Sequence, residues 1–471
     1  MRQNGSIQGA TAITAAASAS GARYGFTSAL FASLAVYAAA ALWLTWHPVA
    51  LSSDDALFFT RALTRFSVLD FSPQFPGYPG FVALGRLALS ISHDPLDALG
   101  LTTLLITLSL PPMAGLVAWR VTGRRWRALL AFLLTLACPL LPDMALSLLS
   151  DASGILFLLV FLTLLPRNRD EELPFFRIFV AGAALAWAGA CRPSDAVLLG
   201  TALISALVTT PRIWKPLLIG ALTVVVPVIA VISALEGTLY LQEGLRFFVG
   251  NATLWGNTPF AAKPQHDNWF VAIAALPGGL LLIGGALLSA LVAVWRLRTS
   301  PATAAAAFAL LGHALWIAAF QNPDHLRHLA PIMVLGGLLL AMMRFPDRKQ
   351  ACFPAAALYA LAELYCLAST TDFHASRLPP LAAAIAYLRE QPKAAIATNN
   401  GVFTLRTLLP RNHIYDMHYP ADARLGLATA KGPAYRLTTT APASGDTNMV
   451  FPGRFAGEET MWLVPGNRPA D

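Results

Sequence analysis

Two adjacent carboxylates, Asp54 and Asp55, stand in the stretch Leu51-Ser52-Ser53-Asp54-Asp55-Ala56-Leu57-Phe58-Phe59. Chemistry open to such a pair is abstraction of a proton from a hydroxyl or retention of a nearby cation. Like charges side by side disfavour double ionisation, which keeps one of the two titratable. If the pair lies on a helix, neighbouring side chains diverge by about 100°, so only one can point squarely at a substrate. The pair falls just beyond the first long apolar segment, about residues 25–46, in a chain with only 12% charged residues. An ionisable group at a membrane edge is costly and marks a functional site by default. The competing reading is structural, because Ser-Ser-Asp-Asp also suits a helix start.

The elements around the pair are membrane elements. The chain has 471 residues, 56% hydrophobic, and a mean hydropathy of +0.58. Repeated apolar runs of roughly 17–25 residues are the signature of transmembrane helices. Eleven are predicted, at about 25–46, 95–119, 127–142, 150–166, 175–191, 194–210, 215–235, 271–294, 302–320, 329–343 and 351–369. Phe81 to Ile91 is apolar but too short to span, and reads as an interfacial helix. Residues 1–24, rich in Ala, Ser, Thr and Gly, read as a disordered cytoplasmic tail before a retained signal anchor. The net charge of +8 does not imply nucleic acid, since in a membrane protein the side on which Lys and Arg fall matters more.

Those charges set a topology. Arg120, Arg124, Arg125 and Arg127 share a loop; Arg167, Arg169 and Arg177, then Arg212 and Lys215, Arg296 and Arg298, and Arg344, Arg348 and Lys349 fall in others. With eleven spans and a cytoplasmic N-terminus, all of these loops are cytoplasmic. The exterior side then holds His47, His93, His266, His325, His328, His374, His413 and His418, with His313 mid-span. The active face is therefore predicted outside a bacterial inner (plasma) membrane. Cys138, Cys191, Cys352 and Cys366 lie in or beside apolar segments without zinc spacing, and predict neither a metal site nor a disulfide framework.

The first exterior loop, residues 47–94, is long enough to have a role. It contains Phe71-Ser72-Pro73-Gln74-Phe75-Pro76-Gly77-Tyr78-Pro79-Gly80, whose prolines and glycines define a bend. An acidic pair after the first membrane helix, an aromatic soon after, and a Pro-Gly-Tyr-Pro segment some twenty residues on resemble the GT-C glycosyltransferases. That superfamily includes the bacterial aminoarabinose transferases and the protein O-mannosyltransferases. Leu148-Leu149-Ser150-Asp151-Ala152-Ser153-Gly154, Cys191-Arg192-Pro193-Ser194-Asp195 and Asp324-His325-Leu326-Arg327-His328-Leu329-Ala330-Pro331 resemble later steps of the same pattern, over roughly residues 25–345. The usual Asp-Glu is here Asp54-Asp55, and its following Tyr is Phe58.

The resemblance implies an all-α polytopic GT-C-like membrane domain, residues 25–370, that passes a hexosyl or pentosyl group from a polyprenyl-phosphate donor to a glycan, lipid or protein acceptor. It makes Asp54 the general base, with Asp55 orienting the acceptor or holding a cation, although the two could exchange roles. The leaving lipid phosphate needs cationic or hydrogen-bonding partners; the candidates are Arg192, His325, Arg327 and His328, with Lys263 and His266 from a second long exterior loop, 236–270. Each has a plainer alternative: lipid-headgroup contact for 325–328, and snorkelling or pairing with Asp195 for Arg192. Tyr78 and Phe58 are supporting residues, and Asp151 reads as structural. No motif demands a cofactor; a divalent cation stays open. Beyond residue 370, a strand at 394–398, a helix at 402–409 and a strand at 413–415 predict a small α/β exterior domain, 371–471. The alternative function is a secondary transporter or lipid-linked-sugar flippase, which would place acids and broken helices near mid-membrane, often with an internal repeat.

Overall fold

The protein is described from a computed structural model covering residues 5–255, 268–295, 300–343, 352–373, 377–442 and 449–466. Lys263, His266, His374, Arg296, Arg298, Arg344, Arg348 and Lys349 lie outside the described residues. The first helix, α1 (Gly5–Thr45), begins inside the segment predicted to be a disordered tail. The run of alanines there is rich in the best helix former, which accounts for the difference.

After α1 the chain forms α2 (Asp54–Thr64), α3 (Pro79–Ser92) and α4 (Pro95–Thr122). Ser53 caps α2 by accepting a hydrogen bond from the Ala56 amide, and Asp54 and Asp55 occupy its first turn, where the helix dipole favours acids. Its other face buries Ala56, Leu57, Phe58, Phe59, Ala62 and Leu63. The membrane helices continue as α5 (Arg125–Leu136), α6 (Leu141–Leu146), α7 (Asp151–Leu164), α8 (Phe175–Cys191), α9 (Ala196–Thr209) and α10 (Trp214–Glu236). They are followed by α11 (Leu239–Gly250), α12 (Trp269–Ala275), α13 (Gly279–Trp295), α14 (Pro301–Phe320), α15 (Ala330–Met342) and α16 (Cys352–Thr370).

By length and composition, four helices among the described residues can cross a membrane, or six if each of two bent pairs makes one crossing. The bent pairs, 175–191 with 193–209 and 269–275 with 279–295, turn by 119° and 117°. Other segments counted in the sequence appear as shorter helices, such as α5, α7 and α15. Large apolar side chains, among them Leu42, Ile204, Val226, Leu288 and Leu315, are exposed on the bundle. Such a surface suits lipid, not water. Helices α8 and α10 approach so closely that a Cβ on Gly182 would overlap the Leu217 carbonyl, and one on Gly220 the Phe179 carbonyl. Small residues that let backbones meet are how membrane helices gain contact when the hydrophobic effect cannot separate helix from lipid.

Past Thr370 the chain changes character. Helix α17 (Pro380–Glu390) leads into β1 (Ala395–Thr398), α18 (Val402–Leu408), β2 (His413–Asp416), α19 (Pro420–Ala428), β3 (Ala434–Thr438), β4 (Met449–Phe451) and β5 (Met461–Pro465). The first strand, the helix after it and the second strand lie where the sequence alternation predicts them. The sheet runs β2-β1-β3-β5-β4. β1 pairs in parallel with both β2 and β3, while β5 is antiparallel to β3 and to β4. One face packs Ile396, Leu405, Leu437 and Leu463 under α17; the other packs Ala395, Ala397 and Ala434 against Leu427 of α19.

Candidate active site

A cavity of about 1220 Å³ lies between the membrane helices and the C-terminal sheet. Asp54, Asp55, Phe58, Tyr78, Asp151, Arg192, His325, Arg327 and His328 all line it, so nine of the sequence-predicted site residues converge there. Lys263 and His266 fall outside the described residues.

The two aspartates diverge, as adjacent residues on a helix must. Asp54 faces the C-terminal domain. Its Oδ1 accepts from the Thr404 amide and the Thr404 hydroxyl, both at 2.8 Å, and its Oδ2 accepts from the Phe403 amide at 3.2 Å. Those amides open α18, whose own N-cap residue, Gly401, has no side chain to cap it. Asp54 therefore supplies a helix cap from 350 positions away. Burial pushes its carboxyl above the usual range, against the opposing pull of these donors, and the Asp55 charge adds to the rise.

Asp55 faces the cavity. Its Oδ1 accepts from the Gln74 amide group at 3.0 Å and its Oδ2 from Arg327 Nη2 at 3.2 Å, and its side chain is 35% exposed. The sequence ranks Asp54 first as the proton acceptor. Both carboxylates line the cavity, but their partners differ: Asp54 accepts from α18, whereas Asp55 accepts from Gln74 and Arg327. Gln74 is delivered by the proline-rich bend, which also makes Tyr78 the left-handed cap of α3 (φ 46°). The Tyr78 hydroxyl is driven up to about 12 by burial, and its ring stands edge-on to Phe59.

Beneath them is an ionic floor. Arg192 pairs with Asp151 at 2.8 Å and with Asp195 at 3.2 Å, and it donates to Ser150 Oγ at 3.2 Å. All three charged side chains are less than a tenth exposed. Gly154 makes this possible, since a Cβ there would press on Asp195 Oδ2 and the Arg192 stem. Arg192 thus lines the cavity with its charge already opposed by two carboxylates. That is the Asp195 pairing weighed as its plainer alternative, with Asp151 added. Arg327 differs: Nη2 meets Asp55, while its buried Nε has no partner among the described residues.

The histidines divide. His325 Nδ1 sits 3.3 Å from Glu459 Oε1, and Asn400 Nδ2 donates to Glu459 Oε2. Burial alone would raise the Glu459 carboxyl, but the bond and charge of His325 outweigh it and hold the group low. His328 is buried, and its carbonyl hydrogen-bonds His313 Nε2 at 3.0 Å. His418 lines the cavity from the sheet domain, whereas His47 packs on Trp43 away from it. Phe58 completes an aromatic cluster with Phe71 and Phe403, again joining the two domains. Glu459, Gln74, Arg436 and His418 are among the lining residues that the sequence did not nominate. Only the concentration of exterior histidines hinted at any of them. Among the described residues no group of three or more His, Cys, Asp and Glu is arranged to hold a metal ion.

No family model matches the sequence, and no curated protein matches it at a significant level. Solved structures do. ArnT from Cupriavidus metallidurans, bound to undecaprenyl phosphate, aligns at TM-score 0.53 and 12% identity over 92% of this chain and 98% of that one. Its apo state aligns at TM-score 0.53 and 14% identity over 93% and 98%. At such identity the likeness concerns fold, and it spans both the membrane bundle and the sheet domain. The likeness is one of fold: this chain has a fold similar to that of ArnT.

Proposed function

We propose that the protein is an integral membrane glycosyltransferase that moves a sugar from a polyprenyl-phosphate donor to an exterior acceptor. The observation that carries this reading is the Asp55–Arg327 contact at 3.2 Å inside the interdomain cavity. It sets a carboxylate beside a cation in a space shared by membrane helices and an aqueous domain. A lipid-linked sugar needs both environments. The ArnT fold, seen with undecaprenyl phosphate bound, supports the donor class.

In this reading Asp55 takes the proton of the acceptor hydroxyl. The freed oxygen lone pair forms the bond to the anomeric carbon. The bond from that carbon to the phosphate oxygen breaks, and its electron pair leaves on the lipid phosphate. Arg327, whose Nε has no partner among the described residues, meets the leaving charge together with His325 and His328. Asp54 positions the roof, and Arg192, Asp151 and Asp195 hold the floor. Gln74 fixes the Asp55 rotamer.

The reading includes eleven crossings, a cytoplasmic N-terminus and a periplasmic cavity in the bacterial inner membrane, supported by the one-sided Lys and Arg distribution. A reporter fused after Asp471 and found in the cytoplasm would contradict that topology. The chemistry is tested by transfer from a polyprenyl-phosphate sugar donor. Asp55→Asn is expected to lower turnover by roughly 10²–10⁴-fold, the usual contribution of a positioned base, and Asp54→Asn by much less. Wild-type turnover in Asp55→Asn would sink the assignment.

A further inference from the structure

The C-terminal sheet has a feature the transfer chemistry does not use. From β1 the chain crosses through α18 to β2 on one side; from β2 it crosses through α19 to β3 on the other side of β1. The order therefore reverses between β1 and β3. In open parallel α/β sheets, ligands bind outside the carboxyl ends of the strands at such a reversal. Here those ends open into the interdomain cavity: Asn399 follows β1, Met417 and His418 follow β2, and Thr439 follows β3, and all four line it. Asn399 and Thr439 bridge the crevice by two hydrogen bonds, from Asn399 Nδ2 to Thr439 Oγ1 at 2.9 Å and from the Thr439 amide to Asn399 Oδ1 at 3.2 Å.

One side chain in this crevice has no structural duty among the described residues. Arg436 lies in β3 opposite Ala397 on one side and Val464 on the other. Its neighbours on that face, Ala395, Ala397 and Ala434, lie beneath α19, while Arg436 lines the cavity. Its Nε is buried and unpartnered. The other charged groups of the roof are engaged. Arg406 donates to the Ile414 carbonyl, Asp416 accepts from the His418 amide and lies 2.8 Å from its ring, and Glu459 meets His325 and Asn400. A buried guanidinium nitrogen without an acceptor is unfavourable unless a ligand provides one.

We infer that this crevice binds the acceptor, and that the acceptor is an acidic carbohydrate, a sugar bearing a carboxylate or a phosphate, whose charge Arg436 meets. Planar donors on a guanidinium suit both anions. Asn399, Thr439 and His418 supply neutral donors and acceptors for ring hydroxyls. The cavity, at about 1220 Å³, exceeds the roughly 300–1,000 Å³ of an ordinary small-ligand pocket, so one space can hold donor sugar and acceptor together. The inference rests on the glycosyl-transfer reading for the word acceptor, while the preference for acidic sugars is measurable without turnover.

The test is calorimetric titration of the full chain in lipid nanodiscs with galacturonate, glucose 1-phosphate and, as the uncharged control, galactose. Wild type is expected to bind at least one acidic probe tenfold or more tightly than galactose, and the stronger of the two identifies the acid. Arg436→Gln is expected to abolish the preference and Arg436→Lys to keep part of it. A parallel titration with undecaprenyl phosphate should be unchanged in Arg436→Gln. Absence of an acid preference in wild type would overturn the inference. So would its survival in Arg436→Gln, or a tenfold loss of undecaprenyl-phosphate binding there, which would make Arg436 a donor residue. Full transfer by Asp55→Asn would remove the catalytic reading and leave the probe preference standing on its own result.

Discussion

The floor and the roof of the cavity treat the charges that line it differently. In the floor, Arg192 is enclosed with Asp151 and Asp195, and every charge has an opposite neighbour within 3.2 Å. The roof also contains ion pairs, Arg454 with Glu458 and His325 with Glu459, but several of its charges are held by neutral dipoles or left open: Asp54 by the amides of α18, Arg406 by a carbonyl, Arg436 by nothing among the described residues. A buried ion pair is rigid and expensive to break, so the floor suits a fixed frame. A capped carboxylate and an unpaired guanidinium suit a surface that receives a ligand.

The sharpest way to break this contrast is Arg192→Ala. It strands two buried carboxylates, and removal of one partner from a buried pair costs about 3–5 kcal/mol. A large fall in the unfolding midpoint in detergent is expected, with partial recovery when Asp195→Asn is added. An unchanged midpoint would mean that the floor is not the frame described.

A smaller effect is expected at the seam. Asp54→Ala removes the cap of α18, worth about 1 kcal/mol. The loss should be local, with amides 402–405 exchanging hydrogen faster while the membrane helices are unaffected. Uniform acceleration across the chain would contradict a role confined to docking the roof.

A further test reads pH dependence at Asp143 in α6. Its carboxyl abuts Gly457, and burial, with Glu458 and Asp151 nearby, raises it to about 8. The folded value lies above the ordinary 3.8, so the folded protein holds the extra proton between the two. The associated stability is full below the unfolded value and is lost as pH rises through about 8. Thermal stability should therefore decline between about pH 4 and about pH 8 in wild type, level off above that, and decline less in Asp143→Asn. Parallel pH profiles would show that this floor-to-roof contact does not titrate.

Legibility in the sequence followed the range of the interactions. The apolar helices, the helix start at Ser53-Asp54-Asp55 and the β-α-β alternation after residue 394 depend on neighbours within a few positions, and all were readable. The count of crossings was less so, because the apolar runs on either side of Arg192-Pro193 meet at a 119° bend that no local pattern in the sequence encodes. The motif residues were recognised as a set, but their ranking was not. Arg192 stayed open between phosphate binding, snorkelling and pairing with Asp195 until the fold enclosed it between Asp195 and Asp151.

What the sequence determined by itself is a membrane-embedded helical chain with an acidic pair at the edge of its first span and a small α/β unit at its end. Composition and periodicity are local properties, and they suffice for that. Which partners each carboxylate meets was decided only in three dimensions, where Asp55 meets Arg327 across 272 positions and Asp54 meets Thr404 across 350. The same holds for Arg436, an ordinary strand residue in the sequence. Its exposure to the cavity depends on sheet order, on the small side chain of Ala397 beside it and on where α19 stops covering the sheet. These are relations between distant segments that no local pattern encodes.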